Sequence, residues 1–209
     1  LSVLSKTMRK VITEHGELLL DKSPNCGCIE LRDAIKHYLA RNRGIKVDIE
    51  QIIIGSGSEY LYGLIVELLG RYRIYAIESP SYKKIEQVYK ATEITYDLLP
   101  LTSSGINSEA LAETKADVLH TTPYRSYPSG VTATASKRHE YIHWSEQGDR
   151  YIIEDDFESE FSLAKKPVEK VVPKQTVKVE KAQKPSVTIS RGFADKVTFP
   201  FSVFISFTI

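Results

Sequence analysis

The stretch QIIIGSGSEYLYGLIVELL, residues 51–69, contains the first complete unit of the fold. Its β-branched run from Gln51 to Ile54 is typical of a strand, and the small residues from Gly55 to Ser58 interrupt that run. The apolar residues from Tyr60 to Leu69 then favour a helix. The pattern predicts a strand, a glycine turn and a helix, in that order.

The same alternation continues toward the C-terminus. Strands are predicted at residues 73–77, 93–98, 118–121 and 151–153, helices at 82–90 and 135–147, and a polar loop at 102–108. Strands that alternate with helices favour an α/β fold, with a mainly parallel sheet and helices on both faces. Ligands of such sheets bind beyond the carboxyl ends of the strands.

The flanking segments are less regular. An amphipathic helix is predicted at residues 31–43, where Leu31, Ile35, Tyr38 and Leu39 share a face and Gly44 ends the helix. Residues 165–184 are rich in Lys, Val and Pro, which is typical of a long surface connection. The apolar residues 197–209 stop without a terminating signal, so the chain is expected to be a truncated part of a longer polypeptide.

Composition narrows the class of protein. The 209 residues are 42% hydrophobic and 26% charged, as in ordinary globular domains. The net charge of +1, from 28 basic and 27 acidic residues, predicts no binding of nucleic acid or of an anionic membrane by this chain. No apolar run is long enough to span a membrane. Cys26 and Cys28 are too close in sequence for a mutual disulfide, and no further Cys or His completes a zinc-binding set with them. Both are expected to be ordinary free thiols, as in a cytoplasmic protein.

Two polar clusters follow predicted strands and have a loop character. GSGSEY, residues 55–60, leaves backbone amides free at a helix N-terminus, which suits a phosphate, although glycine turns before helices are common. TPYRSYPSG, residues 122–130, contains two prolines and a glycine and predicts a rigid, irregular loop.

A third cluster is acidic. In YIIEDDFESEF, residues 151–161, Glu154, Asp155 and Asp156 follow an apolar strand. Neighbouring carboxylates repel one another unless a cation offsets them. A divalent metal ion, a protonated heterocycle and simple solvation of the charges all remain open from the residues alone.

The order of these clusters resembles the fold-type I aminotransferases, and especially the aminotransferase-like half of MocR-type (GntR family) transcription regulators. LRDAIKHYLARNRGIKVDIEQIIIGSG matches the family's helix, Arg-Gly and strand ending in Ser-Gly, and ESPSY at residues 78–82 matches its acidic-x-Pro-x-Tyr turn. TPYRSYPSG and IIEDDFESEF match its Pro-[Ser/Thr]-Gly loop and its Glu-Asp-Asp-Tyr motif. The match covers about residues 24–163.

The resemblance implies pyridoxal 5′-phosphate as cofactor. Ser56, Gly57 and Ser58 would hold its phosphate, Tyr82 would stack on its ring, and Asp155 would pair with its pyridine nitrogen.

Two departures affect the expected chemistry. Phe157 replaces the family's Tyr, so the phenol that would hydrogen-bond the cofactor is missing and efficient transamination is doubtful. RGFADKVTFP, residues 191–200, matches the family's lysine segment only if one residue is inserted before the lysine. Lys196 is then the candidate for the covalent attachment of the cofactor.

The resemblance further implies an organisation and a function. Residues 1–45 are expected to form an N-terminal helical segment and residues 46–209 part of the cofactor-binding large domain, without the winged helix and the small C-terminal domain. The function hypothesis is an effector-sensing domain that binds a small amino acid or amine. DNA would be bound only through the absent N-terminal domain, and the protein would be a homodimer. A free-standing amino-acid aminotransferase and a degenerate remnant that binds no cofactor are the alternatives.

Overall fold

The computed structural model describes residues 1–156. Within them the central feature is a five-stranded sheet with the strand order β3-β2-β1-β4-β5. Strands β2, β1, β4 and β5 are parallel, and the short β3 is antiparallel to β2. The prediction of a mainly parallel sheet is therefore confirmed. The strands are β1 (Tyr75–Ser79), β2 (Tyr96–Thr102), β3 (Gly105–Ile106), β4 (Val118–Thr121) and β5 (Tyr151–Glu154).

The described part of the chain contains six α-helices, of which α1 buries no residue. The last turn of α2 continues as a π-helical turn over Leu39–Arg43, which ends at Gly44 in the left-handed conformation. Short 3₁₀ turns lie at Gly16–Leu20 and Ile49–Gln51. The helices are α1 (Ser2–His15), α2 (Ile29–Tyr38), α3 (Ser58–Leu69), α4 (Lys83–Ala91), α5 (Ser108–Glu113) and α6 (Ala135–Ser145). None of these helices is long and apolar enough to cross a membrane.

Both faces of the sheet are covered, because successive side chains of a strand point to opposite faces. In β4, Val118 packs in a cluster with α3 and α4, whereas the next residue, Leu119, packs in a cluster with α5 and α6. Ile77 and Ala76 of β1 divide between the two clusters in the same way. The first layer also contains Tyr62, Val66, Ile85 and Tyr89, and the second contains Leu111, Tyr141 and Trp144.

A third, smaller core lies N-terminal to α3. It contains Ile35, Leu39, Ile45, Val47 and Ile52. The predicted helical face was partly wrong, because Leu31 is 49% exposed while its neighbour Arg32 is only 8% exposed. An arginine can be buried here because its guanidinium donates to two backbone carbonyls.

The strand predicted at Gln51 to Ile54 is absent. Gln51 instead closes a 3₁₀ turn through a capping box with Asp48, and Ile52 is extended but pairs with no strand of the described sheet. The Ile54 amide donates to the Cys26 carbonyl, and the Ile52 carbonyl accepts from Arg32 Nε. A β-branched run with few polar residues does not by itself distinguish a strand from a packed extended segment.

The loop predicted at residues 102–108 is partly ordered. It contains β3, in which Gly105 pairs with Thr102 at the end of β2. It also contains the start of α5, where the Asn107 side chain accepts a hydrogen bond from the Ala110 amide. Helix α5 is only six residues long, which is too short for a helical pattern of apolar residues to be recognised in the sequence.

Arg32 should stabilise the segment that leads into α3. Its Nε donates to the Ile52 carbonyl at 2.9 Å and its second terminal nitrogen to the Ile49 carbonyl at 2.6 Å. Arg32→Met keeps the apolar stem but leaves both carbonyls without this donor, so we expect a loss of about 1–3 kcal/mol in the free energy of unfolding, measured by urea denaturation. Arg41→Met, at an exposed position nearby, should change stability by less than about 0.5 kcal/mol. Equal effects of the two variants would contradict a structural role for Arg32.

Candidate functional site

Three of the parallel strands end at the same edge of the sheet. The register pairs Ile77 of β1 with His120 of β4, and Thr121 of β4 with Glu154 of β5. The Asp155 amide continues the ladder by donating to the Thr121 carbonyl at 2.9 Å. The acidic residues after β5 therefore lie at the edge where ligands of such sheets bind.

Asp155 is partly buried and has one specific partner. Its Oδ2 accepts a hydrogen bond of 2.5 Å from the hydroxyl of Tyr62, a residue of α3. Burial raises the pKa of Asp155, the Tyr62 hydrogen bond lowers it, and the charge of Asp156 raises it, with a raised pKa as the net result. The carboxylate thus lies where a nearby positive charge would stabilise its ionised form.

Tyr62 connects Asp155 to the start of α3, and sequence reasoning missed it. Burial and the nearby Asp155 charge raise the pKa of Tyr62 far above its ordinary value, so the phenol stays protonated and remains a donor. Ser58, one helical turn earlier, acts in the opposite direction and lowers the pKa of the same hydroxyl. Tyr62 was counted only as part of an apolar helix, and a tyrosine four residues after Ser58 on that helix is the signal that could have identified it.

The glycine turn before α3 has the geometry expected of an anion-binding helix start. Gly57 is the N-cap, with a φ of 97°, and no side chain caps the helix there. A Cβ at Gly57 would meet nothing within 4 Å, so the space in front of the helix is open. Ser56 and Ser58 flank this glycine. The first amides of a helix have no carbonyl of their own helix to bind, and the helix dipole favours an anion there.

Tyr82 lies at the start of α4, which follows β1. Its ring is 40% exposed and meets the ring of Tyr127 edge to face, with 6.1 Å between the centroids. Tyr127 belongs to the loop at residues 122–130, so this loop approaches the turn at residues 78–82 here. Tyr82 also contributes, as a small effect, to the raised pKa of Tyr62.

Glu78, near the end of β1, attaches the 122–130 loop to the sheet and is a second residue that sequence reasoning did not assign to the site. One carboxylate oxygen accepts from the Thr121 hydroxyl at 2.5 Å and the Thr122 amide at 3.0 Å, and the other accepts from the Ser126 hydroxyl at 2.5 Å. Glu78 is 4% exposed, and burial raises its pKa although these hydrogen bonds lower it. An acidic residue within the apolar strand YAIES was its signal in the sequence.

The remaining acidic residues differ in their surroundings. Asp156 lies 4.0 Å from a guanidinium nitrogen of Arg43, and both side chains are buried. Within residues 1–156, no group of three or more His, Cys, Asp or Glu side chains is arranged to hold a metal ion. Phe157 and Lys196 lie outside the described residues, and so does the segment between them.

Comparison with known proteins gives the wider context. The chain is 26% identical over 167 residues to the uncharacterized HTH-type transcriptional regulator YdeL of Bacillus subtilis, covering 80% of this chain and 36% of the relative. It is 29% identical over 158 residues to the pyridoxine biosynthesis transcriptional regulator PdxR of Corynebacterium glutamicum, covering 74% of this chain and 35% of that relative. The chain is homologous to MocR-type regulators.

These MocR-type relatives are much longer than this chain, which spans about a third of the length of YdeL and of PdxR.

The fold of the described residues is similar to that of an enzyme of known structure. The kynurenine aminotransferase of Pyrococcus horikoshii, solved with PMP, superimposes with a TM-score of 0.74 at 25% identity, over 81% of this chain and 44% of the enzyme. The sheet and helices described above are therefore those of a fold-type I aminotransferase. No family model matches the chain.

Glu78 should hold the 122–130 loop in place. Glu78→Ala leaves the Thr122 amide and two hydroxyls without their acceptor, so we expect the free energy of unfolding to fall by about 2–4 kcal/mol in urea denaturation. Glu67→Ala removes an exposed carboxylate paired with Arg71 and should cost less than about 0.5 kcal/mol. A loss at Glu78 no larger than that at Glu67 would contradict the assigned role.

A pH series separates the charge of Glu78 from its hydrogen bonds. Because the folded-state pKa of Glu78 is raised, its contribution to stability is fully present below the unfolded-state pKa and is lost as pH rises through the folded-state pKa. Glu78→Gln keeps an acceptor oxygen and cannot ionise. This variant should lose less stability than Glu78→Ala and should show a smaller decline of stability across that pH window.

Proposed function

We propose that this chain is a pyridoxal-phosphate-binding, aminotransferase-like, effector-sensing domain of a DNA-binding transcription regulator. The observation that carries the proposal is the hydrogen bond from Tyr62 to Asp155. It joins helix α3, which begins at the open glycine turn, to the carboxylate that follows β5. A phosphate suits the open helix start, and a protonated ring nitrogen suits the Asp155 carboxylate.

The donor set fits this cofactor. Ser56, Gly57 and Ser58 would hold the phosphate, where the open space in front of Gly57 admits an anion. Tyr82 offers a ring that is 40% exposed and would stack on the pyridine, and Asp155 would accept from the pyridine nitrogen. When bound, pyridoxal phosphate supplies an electron-withdrawing ring and an aldehyde that reacts with amines.

Electrostatics support a cationic group next to Asp155. Two carboxylates with raised pKa values, Glu78 and Asp155, lie near the same edge, and the charge of Asp155 contributes to the raised pKa of Glu78. His120, the residue before Thr121 in β4, is neutral because burial lowers its pKa to about 3. A protonated nitrogen at Asp155 would lower the energy of this acidic edge.

Sensing is favoured over turnover by one residue and by the relatives. Phe157 stands where the family has a tyrosine that would hydrogen-bond the cofactor, and PdxR and MocR are named as regulators. The proposed effector is a small amino acid or amine, since these react with the cofactor aldehyde. In this proposal residues 1–45 form a helical segment, residues 46–209 form the cofactor-binding domain, and DNA is bound by a separate winged helix in a cytoplasmic homodimer.

A free-standing aminotransferase is the second candidate function. It is favoured by the structural likeness to the kynurenine aminotransferase of Pyrococcus horikoshii. A winged-helix sequence encoded upstream of Leu1 would decide for the regulator, because that module binds DNA through a recognition helix.

Asp155 should be needed for cofactor affinity. Asp155→Ala removes the carboxylate that would pair with the pyridine nitrogen, so we expect pyridoxal phosphate to bind at least about tenfold more weakly, or about 1.4 kcal/mol. Fluorescence titration measures the change. Asp149→Ala, an exposed residue that precedes the same strand, serves as the control and should leave the affinity unchanged. Thermal stabilisation by Mg²⁺ or Mn²⁺, and none by pyridoxal phosphate, would support the metal-ion interpretation instead.

Lys196 should carry the cofactor covalently. An amine reacts with the aldehyde only in its neutral form, which burial near a cationic ring favours by lowering a lysine's pKa. Borohydride reduction of the cofactor-loaded protein, followed by peptide mass mapping, should place the pyridoxyl adduct on Lys196. An adduct on another lysine would refute this assignment, and no adduct on any lysine would favour a remnant without the covalent anchor.

A further inference from the structure

The contact between Tyr62 and Asp155 joins two elements that are 93 residues apart in sequence. The phenol of α3 donates to Oδ2 of Asp155 at 2.5 Å, which is a short distance for an O–H···O bond and typical of a charged acceptor. The hydrogen bond occupies one carboxylate oxygen. It leaves Oδ1 as the oxygen that can accept from a further donor.

The position of the Tyr62 hydroxyl is set by the protein core. Its ring packs with Val66 in the layer between α3 and the sheet, and meets the His120 ring edge to face at 5.0 Å. A buried tyrosine with such neighbours cannot change rotamer without disturbing the core. Tyr62 therefore fixes the orientation of the Asp155 carboxylate, which follows β5.

Helix α3 also relates this contact to the glycine turn. Ser58 and Tyr62 are four residues apart, so they lie on the same face about one turn, or roughly 6 Å, from each other along the axis. A single rigid element thus determines both the proposed phosphate end of the site and the position of the Asp155 carboxylate.

We infer that Tyr62 is a positioning residue, which holds Asp155 so that its second oxygen receives the protonated ring nitrogen of a phosphorylated pyridine. The inference rests on the proposed function, since it concerns the same ligand. It adds that recognition of the ring nitrogen depends on a phenol that does not touch the ligand. Without that phenol, Asp155 loses its fixed orientation and the hydrogen bond that favours its ionised form.

The test uses a ligand without an aldehyde, so that Lys196 has no part in it. 4-Deoxypyridoxine 5′-phosphate keeps the ring nitrogen and the phosphate, and its benzene counterpart has a carbon in place of the nitrogen. Titration calorimetry on the full chain gives the ratio of the two affinities. We expect the unmodified protein to prefer the nitrogen ligand at least tenfold, and Tyr62→Phe to reduce that preference at least threefold.

Tyr89→Phe is the matched control. It removes another buried phenol from the same core layer, one that lies 2.7 Å from His120 Nδ1 and makes no hydrogen bond to Asp155. Its preference for the nitrogen ligand should equal that of the unmodified protein. Tyr62→Met removes the same hydroxyl with a side chain that adapts to irregular core space, and it should lose the preference as Tyr62→Phe does.

A spectroscopic readout separates positioning from a general loss of packing. The nitrogen-15 chemical shift of a ring-labelled ligand distinguishes protonated from neutral pyridine, and the bound ligand should be less protonated in Tyr62→Phe than in Tyr89→Phe at the same pH. A full preference and an unchanged shift in Tyr62→Phe would overturn the inference while leaving the proposed function intact. If the unmodified protein binds neither ligand, or both equally, the proposed function fails and this inference with it.

Discussion

Parallel pairing of β1, β4 and β5 is the constraint on which the site depends. It brings Glu78, Thr121 and Asp155 to one edge of the sheet, although they are separated by 43 and 34 residues along the chain. Both faces of these strands are covered by helices, so polar groups at this edge are largely removed from water and must find partners in the protein or in a ligand. The hydrogen bonds that satisfy these polar groups determine the arrangement of the neighbouring loops.

The two carboxylates at this edge are satisfied to different degrees. Glu78 accepts three hydrogen bonds and thereby ties the 122–130 loop to β1, which is a structural use of a buried carboxyl group. Asp155 accepts one side-chain hydrogen bond, from the phenol of Tyr62 in α3. The less satisfied carboxylate is the better candidate for a ligand contact, because a cation there would relieve the cost of its burial.

The wrong expectations have local physical causes. Hydrophobic periodicity assigned Leu31 to the buried face of α2, yet Arg32 is buried because its guanidinium binds the carbonyls of Ile49 and Ile52. The run at residues 51–54 was predicted as a strand, but Ile52 and Ile54 pack in the small N-terminal core and the run joins no ladder of the described sheet. In both cases the deciding partners are distant in sequence, and a local pattern does not reveal them.

By itself, the sequence determined the alternation of strands and helices and the mainly parallel sheet, since these follow from hydrophobic periodicity and from glycine turns. It also indicated the site candidates through the resemblance to a known family. These candidates are Ser56, Gly57, Ser58, Tyr82 and Asp155. Only the tertiary structure decided which groups meet. Tyr62 donates to Asp155 and Glu78 holds Ser126 because α3, β1, β4 and β5 converge at one edge. The reason is physical: periodicity reports which face of an element is apolar, whereas hydrogen bonds between elements depend on strand order and on side-chain position to within an ångström.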